Sequence, residues 1–150
     1  MRLDFFLLAD SVEREAEKIT VLGAIITNVQ VDRVPTRVSL GSLARMLVDE
    51  WDLNAQRPFE FFVRIAPPEG EPLQTTALAV QPADLPTVAD DPEEERSVIV
   101  VAALENLPIT HLGLYRLELV LNGEVIGRRA VTVSLRQGEE SSVGEADGTP

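Results

Sequence analysis

Two features of this 150-residue chain carry side chains suited to chemistry: its one histidine, His111, and a run of carboxylates between Asp84 and Glu95. Histidine is the side chain that most readily moves a proton near neutral pH. One imidazole in a chain without cysteine cannot build a His-rich or thiolate zinc site. A Ser–His–Asp triad would have to use His111, and no Gly-x-Ser-x-Gly turn accompanies it. Neither G-x-x-x-x-G-K nor G-x-G-x-x-G occurs, so no glycine-rich phosphate cradle is encoded. His111 is read as a loop residue. No catalytic, cofactor-binding or metal-ligating residue is assigned, and no cofactor is expected.

The carboxylates are Asp84, Asp90, Asp91, Glu93, Glu94 and Glu95. Such hard oxygen ligands suit calcium, but a calcium site needs oxygens converging from spaced positions, and the EF-hand spacing is absent. Neighbouring side chains in an extended run diverge. The sequence therefore reads as a solvated loop, kept open by self-repulsion and by Pro82, Pro86 and Pro92. Calcium-dependent binding or metal-dependent hydrolysis through residues 84–95 stands as the alternative.

The formal charge is −12, from 25 acidic and 13 basic residues. Six of those acids lie in the loop, and Glu139, Glu140, Glu145 and Asp147 add four near the C-terminus. Setting these ten aside leaves fifteen acidic against thirteen basic residues, a body near −2. Neither the body nor the acidic segments offer the clustered positive face that phosphate backbones need, which argues against nucleic-acid partners and anionic membranes. No apolar run approaches the ~18 residues of a membrane span. Leu3–Ala9, interrupted by Asp4, is too short for a signal-peptide core and is expected to be the first strand of a cytoplasmic protein.

The dominant period is two, the signature of half-buried strands. Ile19 to Val31 reads as one long strand with a bulge or close packing at Gly23. Phe59, Phe61, Val63 and Ile65 alternate with Glu60 and Arg64. Pro67-Pro68-Glu69-Gly70 turns the chain, and residues 73–81 return. Val98 to Leu104 is apolar at every position and reads as a central strand covered on both faces. Tyr115, Leu117, Leu119 and Leu121 alternate with Arg116 and Glu118, and a last strand spans about 125–135. Residues 36–51 fit either a strand or a helix capped by Ser42; Pro35 and the strand-rich surroundings favour the strand.

Asn122-Gly123 is a strong hairpin signal. A plain two-residue loop would put Val131, Val133 and Leu135 on the face opposite Tyr115, Leu117 and Leu119. One extra residue repairs this, either in a three-residue loop closed by Gly123 or in a bulge at Gly127. The first is preferred because it restores the face at once. Gly113-x-Tyr115, after the loop 105–112, fits a tyrosine corner, in which the phenol hydroxyl bonds to backbone a few residues upstream. About eight strands without a βαβ rhythm give an all-β, antiparallel, immunoglobulin-like sandwich over residues 1–136. Residues 137–150, with no apolar period, form a disordered acidic tail.

The segments "FFLLAD", "KITVLGAIITNV" and "LGLYRLELVLNGEVIGRRAVTV", with Pro35, resemble an uncharacterised family of small bacterial proteins, a domain of unknown function. The resemblance implies a sandwich-like fold and no established activity.

Large apolar residues on outward parities are the remaining clue. Phe6 and Leu8 fall opposite Leu3, Phe5 and Leu7, and Phe62 falls opposite Phe61 and Val63. With Trp51 they mark a possible partner surface. The leading expectation is a non-enzymatic interaction module that binds a protein partner, or itself as a homo-oligomer, through a sheet face or edge. A structural part in a larger bacterial or phage-derived assembly is a further alternative.

Overall fold

The computed structural model describes residues 1–16, 18–89 and 91–137. Its strands are β1 (Arg2–Glu15), β2 (Lys18–Ala24), β3 (Asn28–Val31), β4 (Thr36–Leu47), β5 (Phe59–Ala66), β6 (Leu73–Gln74), β7 (Leu78–Val80), β8 (Ser97–Ile109), β9 (Gly113–Leu121) and β10 (Glu124–Leu135). One helical turn, α1 (Glu50–Leu53), follows β4, and a 3-10 turn spans Pro82–Asp84. The strands form two sheets. One has the order β2-β1-β4-β8; the other runs β3-β10-β9-β5-β6, with β7 also paired to β5. Pairing is antiparallel except between β10 and β3.

Period-two alternation explains the core. Phe59, Phe61, Val63 and Ile65 point inward from β5, as do Tyr115, Leu117, Leu119 and Leu121 from β9. Their register places Phe61 beside Leu121, Val63 beside Leu119 and Ile65 beside Leu117. The first sheet answers with Phe6, Leu8, Leu40, Ala44, Met46, Val100 and Leu104. Burying side chains of this size stabilises the fold by about 1.5–3 kcal/mol each. The one buried hydroxyl of β4 is satisfied: Ser42 Oγ donates to the Ala102 carbonyl at 2.9 Å.

Residues 36–47 form the strand that the sequence favours, and Glu50 and Trp51 belong to α1 instead. Other expectations change. The described residues hold ten strands, because two expected strands divide. Residues 73–81 split into β6 and β7, and the long strand 19–31 breaks after Ala24. Gly23 and Ile25 both adopt left-handed φ, +63° and +62°, and a Cβ at Gly23 would overlap the Asp10 carboxylate. The chain turns there and delivers β3 to the other sheet, beside β10.

The β9–β10 hairpin takes the alternative rather than the preferred repair. Asn122 and Gly123 make a two-residue loop with φ of +49° and +82°, as mirror-image hairpin turns require. The extra residue sits between Val125 and Gly127. A side chain at Gly127 would meet Leu3 Cδ2 at 2.8 Å, so β10 bulges where it crosses β1.

The apolar segment 98–104 lies in β8, an edge strand rather than a central one. Both its faces are apolar because the outer face is partly roofed within its own sheet. The β1–β2 hairpin folds back so closely that a Cβ on Gly41 of β4 would meet the Val12 backbone nitrogen at 2.6 Å. Arg14 of the same arm reaches the Ile99 carbonyl of β8 at 3.4 Å. Sequence periodicity cannot separate cover by a folded arm from cover by neighbouring layers.

Candidate functional site

The two long seams of the sandwich differ. Along one, β1 and β10 close the gap: Arg129 Nε donates to the Phe6 carbonyl at 2.7 Å, and Gly127 admits Leu3 and Phe6. Along the other, β8 faces the β6 segment across a groove of about 640 Å³. Its walls are residues 73–76 and 103–108, and Ile65, Leu104 and Leu107 of the core form its floor. Leu73 stands 44% exposed beside it.

β8 pairs with β4 alone, so one edge of its backbone has no strand partner among the described residues. The edge is limited at one end. Residues 105 and 106 bulge opposite Ser39, with Asn106 at φ +52°. Ser39 Oγ takes the Asn106 N–H at 3.1 Å, and Arg37 Nη1 donates to the Asn106 carbonyl at 3.2 Å. Pro108 then offers no N–H at all. Bulges and prolines of this kind end strand pairing. What stays without a strand partner is Ser97–Leu104, a stretch of about 26 Å at ~3.3 Å per residue, within which the Ile99 carbonyl takes Arg14 Nη2.

The four residues expected at a partner surface do not come together. Phe6 and Leu8 are 2% and 1% exposed and belong to the core. Their parity was reversed because β1 carries an irregularity between Leu3 and Phe5, which turns Phe5 outward. Trp51 is 87% exposed on α1. Phe62 lies on the outer face of the second sheet, in register with Val120, and is half-buried. The site sequence reasoning missed is the β8 edge itself. Its signal was present in the unbroken apolar run and in the bulge-forming Glu105-Asn106 and Pro108 that follow.

The acidic loop is less free than its composition suggests. Glu95 accepts from Arg2 Nη2 at 3.0 and 3.2 Å, and Glu94 lies 3.8 Å from Arg45. Asp91 Oδ1 takes the Glu93 N–H at 2.9 Å. The self-repelling loop thus folds its last acids onto cations of β1 and β4. Asp90 lies outside the described residues, as does the tail from residue 138. Among the described residues no three His, Asp or Glu side chains are grouped to hold a metal ion.

His111 is a structural anchor. Its carbonyl accepts the Tyr115 hydroxyl at 2.8 Å, and its N–H approaches the same oxygen at 3.4 Å, which is the tyrosine-corner bond. The imidazole lies between Thr110 Oγ1 at 2.9 Å and Glu69 at 3.4 Å.

Two carboxylates are tuned by their neighbours. At α1, Asp49 and Asp52 cap each other reciprocally, and Asp52 also takes the Met1 ammonium at 2.6 Å. The Asp52 backbone hydrogen bond holds the Asp49 carboxyl below its ordinary range, against some loss of hydration. Burial works against charge at Glu118 of β9, but bonds from Arg64 and Arg128 outweigh it and lower its pKa.

Comparison with known proteins gives the chain its family. A family model described as "Family of unknown function (DUF6941)" matches residues 4–134, and the chain belongs to that family. No curated protein matches. A solved structure, Pseudomonas fluorescens alkylpurine DNA glycosylase AlkC bound to DNA containing an abasic site analog, is similar at 8% identity with a TM-score of 0.42. The similarity covers 71% of this chain and 27% of that one. No helix among the described residues is long and apolar enough to cross a membrane.

Proposed function

We propose that this member of the family of unknown function is a non-enzymatic interaction module, which takes an extended segment of a partner protein as an added strand along β8. One observation carries the reading. A strand apolar from Val98 to Leu104 is paired on one side only, and its Ala103–Leu104 end borders a groove that opens to the core. Strand addition needs these elements: a row of free backbone donors and acceptors for affinity, and pockets for alternate side chains for specificity.

We also read the sandwich as immunoglobulin-like. In the constant-type arrangement one sheet holds strands A, B, E and D, and the other C, F and G. The β1-β4-β8 order suits A, B and E, and β5-β9-β10 suits C, F and G, with the tyrosine corner at the start of F. Position D, beyond β8, is taken by no strand among the described residues. The partner's segment would fill it, antiparallel to β8. This reading keeps the protein cytoplasmic and leaves His111 and the acidic loop in structural roles, since Glu94 and Glu95 already face Arg45 and Arg2.

Panning an unbiased peptide library against the full chain tests the proposal. Enriched peptides are expected to perturb the amide signals of 97–104 and 73–76. Peptides that map elsewhere, or no peptide binding at micromolar concentration, would overturn it. Self-association through β8, seen as a concentration-dependent dimer that competes with the peptides, would make a second copy the occupant and remove the partner protein from the reading.

A further inference from the structure

We infer that the outer face of the β5-β9-β10 sheet holds a binding site for a small, multiply charged oxyanion, remote in kind from the β8 edge and independent of it. The register builds two rows across that face. Arg64, Glu118 and Arg128 form one, and Ala66, Arg116 and Ala130 form the next. Arg129 completes the rim. These residues line a cavity of about 550 Å³, Arg64 excepted, whose guanidinium closes on Glu118 beside it. That volume is in the range of small-molecule sites.

The charge there is unbalanced. Arg64 and Arg128 bond to the one carboxylate, Glu118, and Arg116 and Arg129 line the same cavity, four cations to one acid in a chain whose total is −12. Acids abound elsewhere, yet among the described residues none other lies within 4 Å of these arginines, and Arg116 has no carboxylate partner. Clustered cations repel one another. A bound anion removes that cost.

Arg64, Arg128 and Arg129 each bond to the protein, and Arg116 stands exposed beside them. Glu118 takes Arg64 Nε at 3.0 Å and Arg64 Nη2 at 3.0 Å on one oxygen, and Arg128 Nε at 3.2 Å on the other. Arg129 is fixed by the carbonyls of Phe6 and Arg128 at 2.7 and 3.2 Å. The small side chains of Ala66 and Ala130 leave the space around Arg116 unfilled. Planar guanidinium forks in fixed positions recognise phosphoryl and carboxylate oxygens bidentately. Glu118 is a positioning residue in this site, and Arg116 is the residue that touches the ligand.

The test titrates the full chain with inorganic pyrophosphate and, separately, with citrate at physiological ionic strength, read by calorimetry and by arginine Nε–H NMR signals. Saturable binding of either is expected, with shifts at Arg116 and Arg128; tighter pyrophosphate binding assigns the source as phosphoryl, tighter citrate as carboxylate. Arg116→Gln, at an exposed position, should weaken binding tenfold or more with an unchanged unfolding midpoint. Glu118→Gln should weaken it as well, although it makes the patch more positive. Affinity that survives Arg116→Gln, rises in Glu118→Gln, or is absent at millimolar probe would overturn the site. So would binding of duplex DNA in preference to both probes, which would make the patch a nucleic-acid surface.

Discussion

Arg129 Nε donates to the carbonyl of Phe6 at 2.7 Å, tying β10 of one sheet to β1 of the other. The bond sits where both strands depart from regular pairing, β1 between Leu3 and Phe5 and β10 between Val125 and Gly127. Bulges re-aim a strand, and here they bring two edges of different sheets together. Among the described residues the opposite seam has no such bond. On that seam β8 is left as an open edge.

Tyr115→Phe should lower stability by about 1 kcal/mol, the typical net worth of one intramolecular hydrogen bond. The hydroxyl bonds to His111 backbone and the ring is 2% exposed. Denaturant unfolding of the two proteins checks this; equal midpoints would mean that the corner bond contributes nothing.

Asp52→Ala should cost about 1–3 kcal/mol, because it leaves a part-buried ammonium without its partner. The same change removes half of the reciprocal cap at α1, where Asp52 Oδ2 takes the Asp49 N–H at 2.9 Å. A loss under about 0.5 kcal/mol, the scale of an exposed pair, would show that the Met1–Asp52 contact is not maintained.

Gly41→Ala should destabilise by about 1–3 kcal/mol, the range for overpacking. The new Cβ would meet Val12 backbone, which cannot rotate away as a side-chain tip can. The β1–β2 arm must lift, so faster amide exchange in residues 10–22 is expected beside the lower midpoint. A neutral substitution would place the arm farther from β4.

Acid should destabilise the protein through Asp49 and Glu118. Their ordinary values are 3.8 and 4.5, and both are lowered in the fold. A depressed carboxyl stabilises the folded state above its unfolded value and loses that contribution as pH falls through the folded one. Their part in stability is thus constant from pH 7 to about 5 and declines below about 4.5. Glu118→Gln should make the decline shallower. A slope identical to that of the parent would remove Glu118 from the account.

Much of the sandwich was legible in its residues. Phe59 to Ile65 and Tyr115 to Leu121 alternate so strictly that only one face can be buried, and Gly113-x-Tyr115 pointed to the corner. The misreadings have one cause. Periodicity reports that a position is covered, not by what. Val98–Leu104 looked central because the folded-back arm covers part of its outer face. Phe6 and Leu8 were set outward because the irregularity near Asp4 shifts the parity, and an irregular position leaves no mark in a short apolar run. The Arg cluster was invisible for a different reason. Arg64, Arg116 and Arg128 are far apart in sequence and meet only through the β5-β9-β10 register.

Amide hydrogen exchange along β8, followed by NMR on the full chain at several protein concentrations, tests the central claim most directly. In an antiparallel pair, successive N–H groups point alternately toward and away from the neighbouring strand. An open edge predicts alternation over Ser97–Leu104: slow exchange for amides bonded to β4, fast exchange for those facing away from β4, at every dilution. Uniform slow exchange of both sets, unchanged on dilution, would mean that the edge is already covered within the chain and would contradict the account.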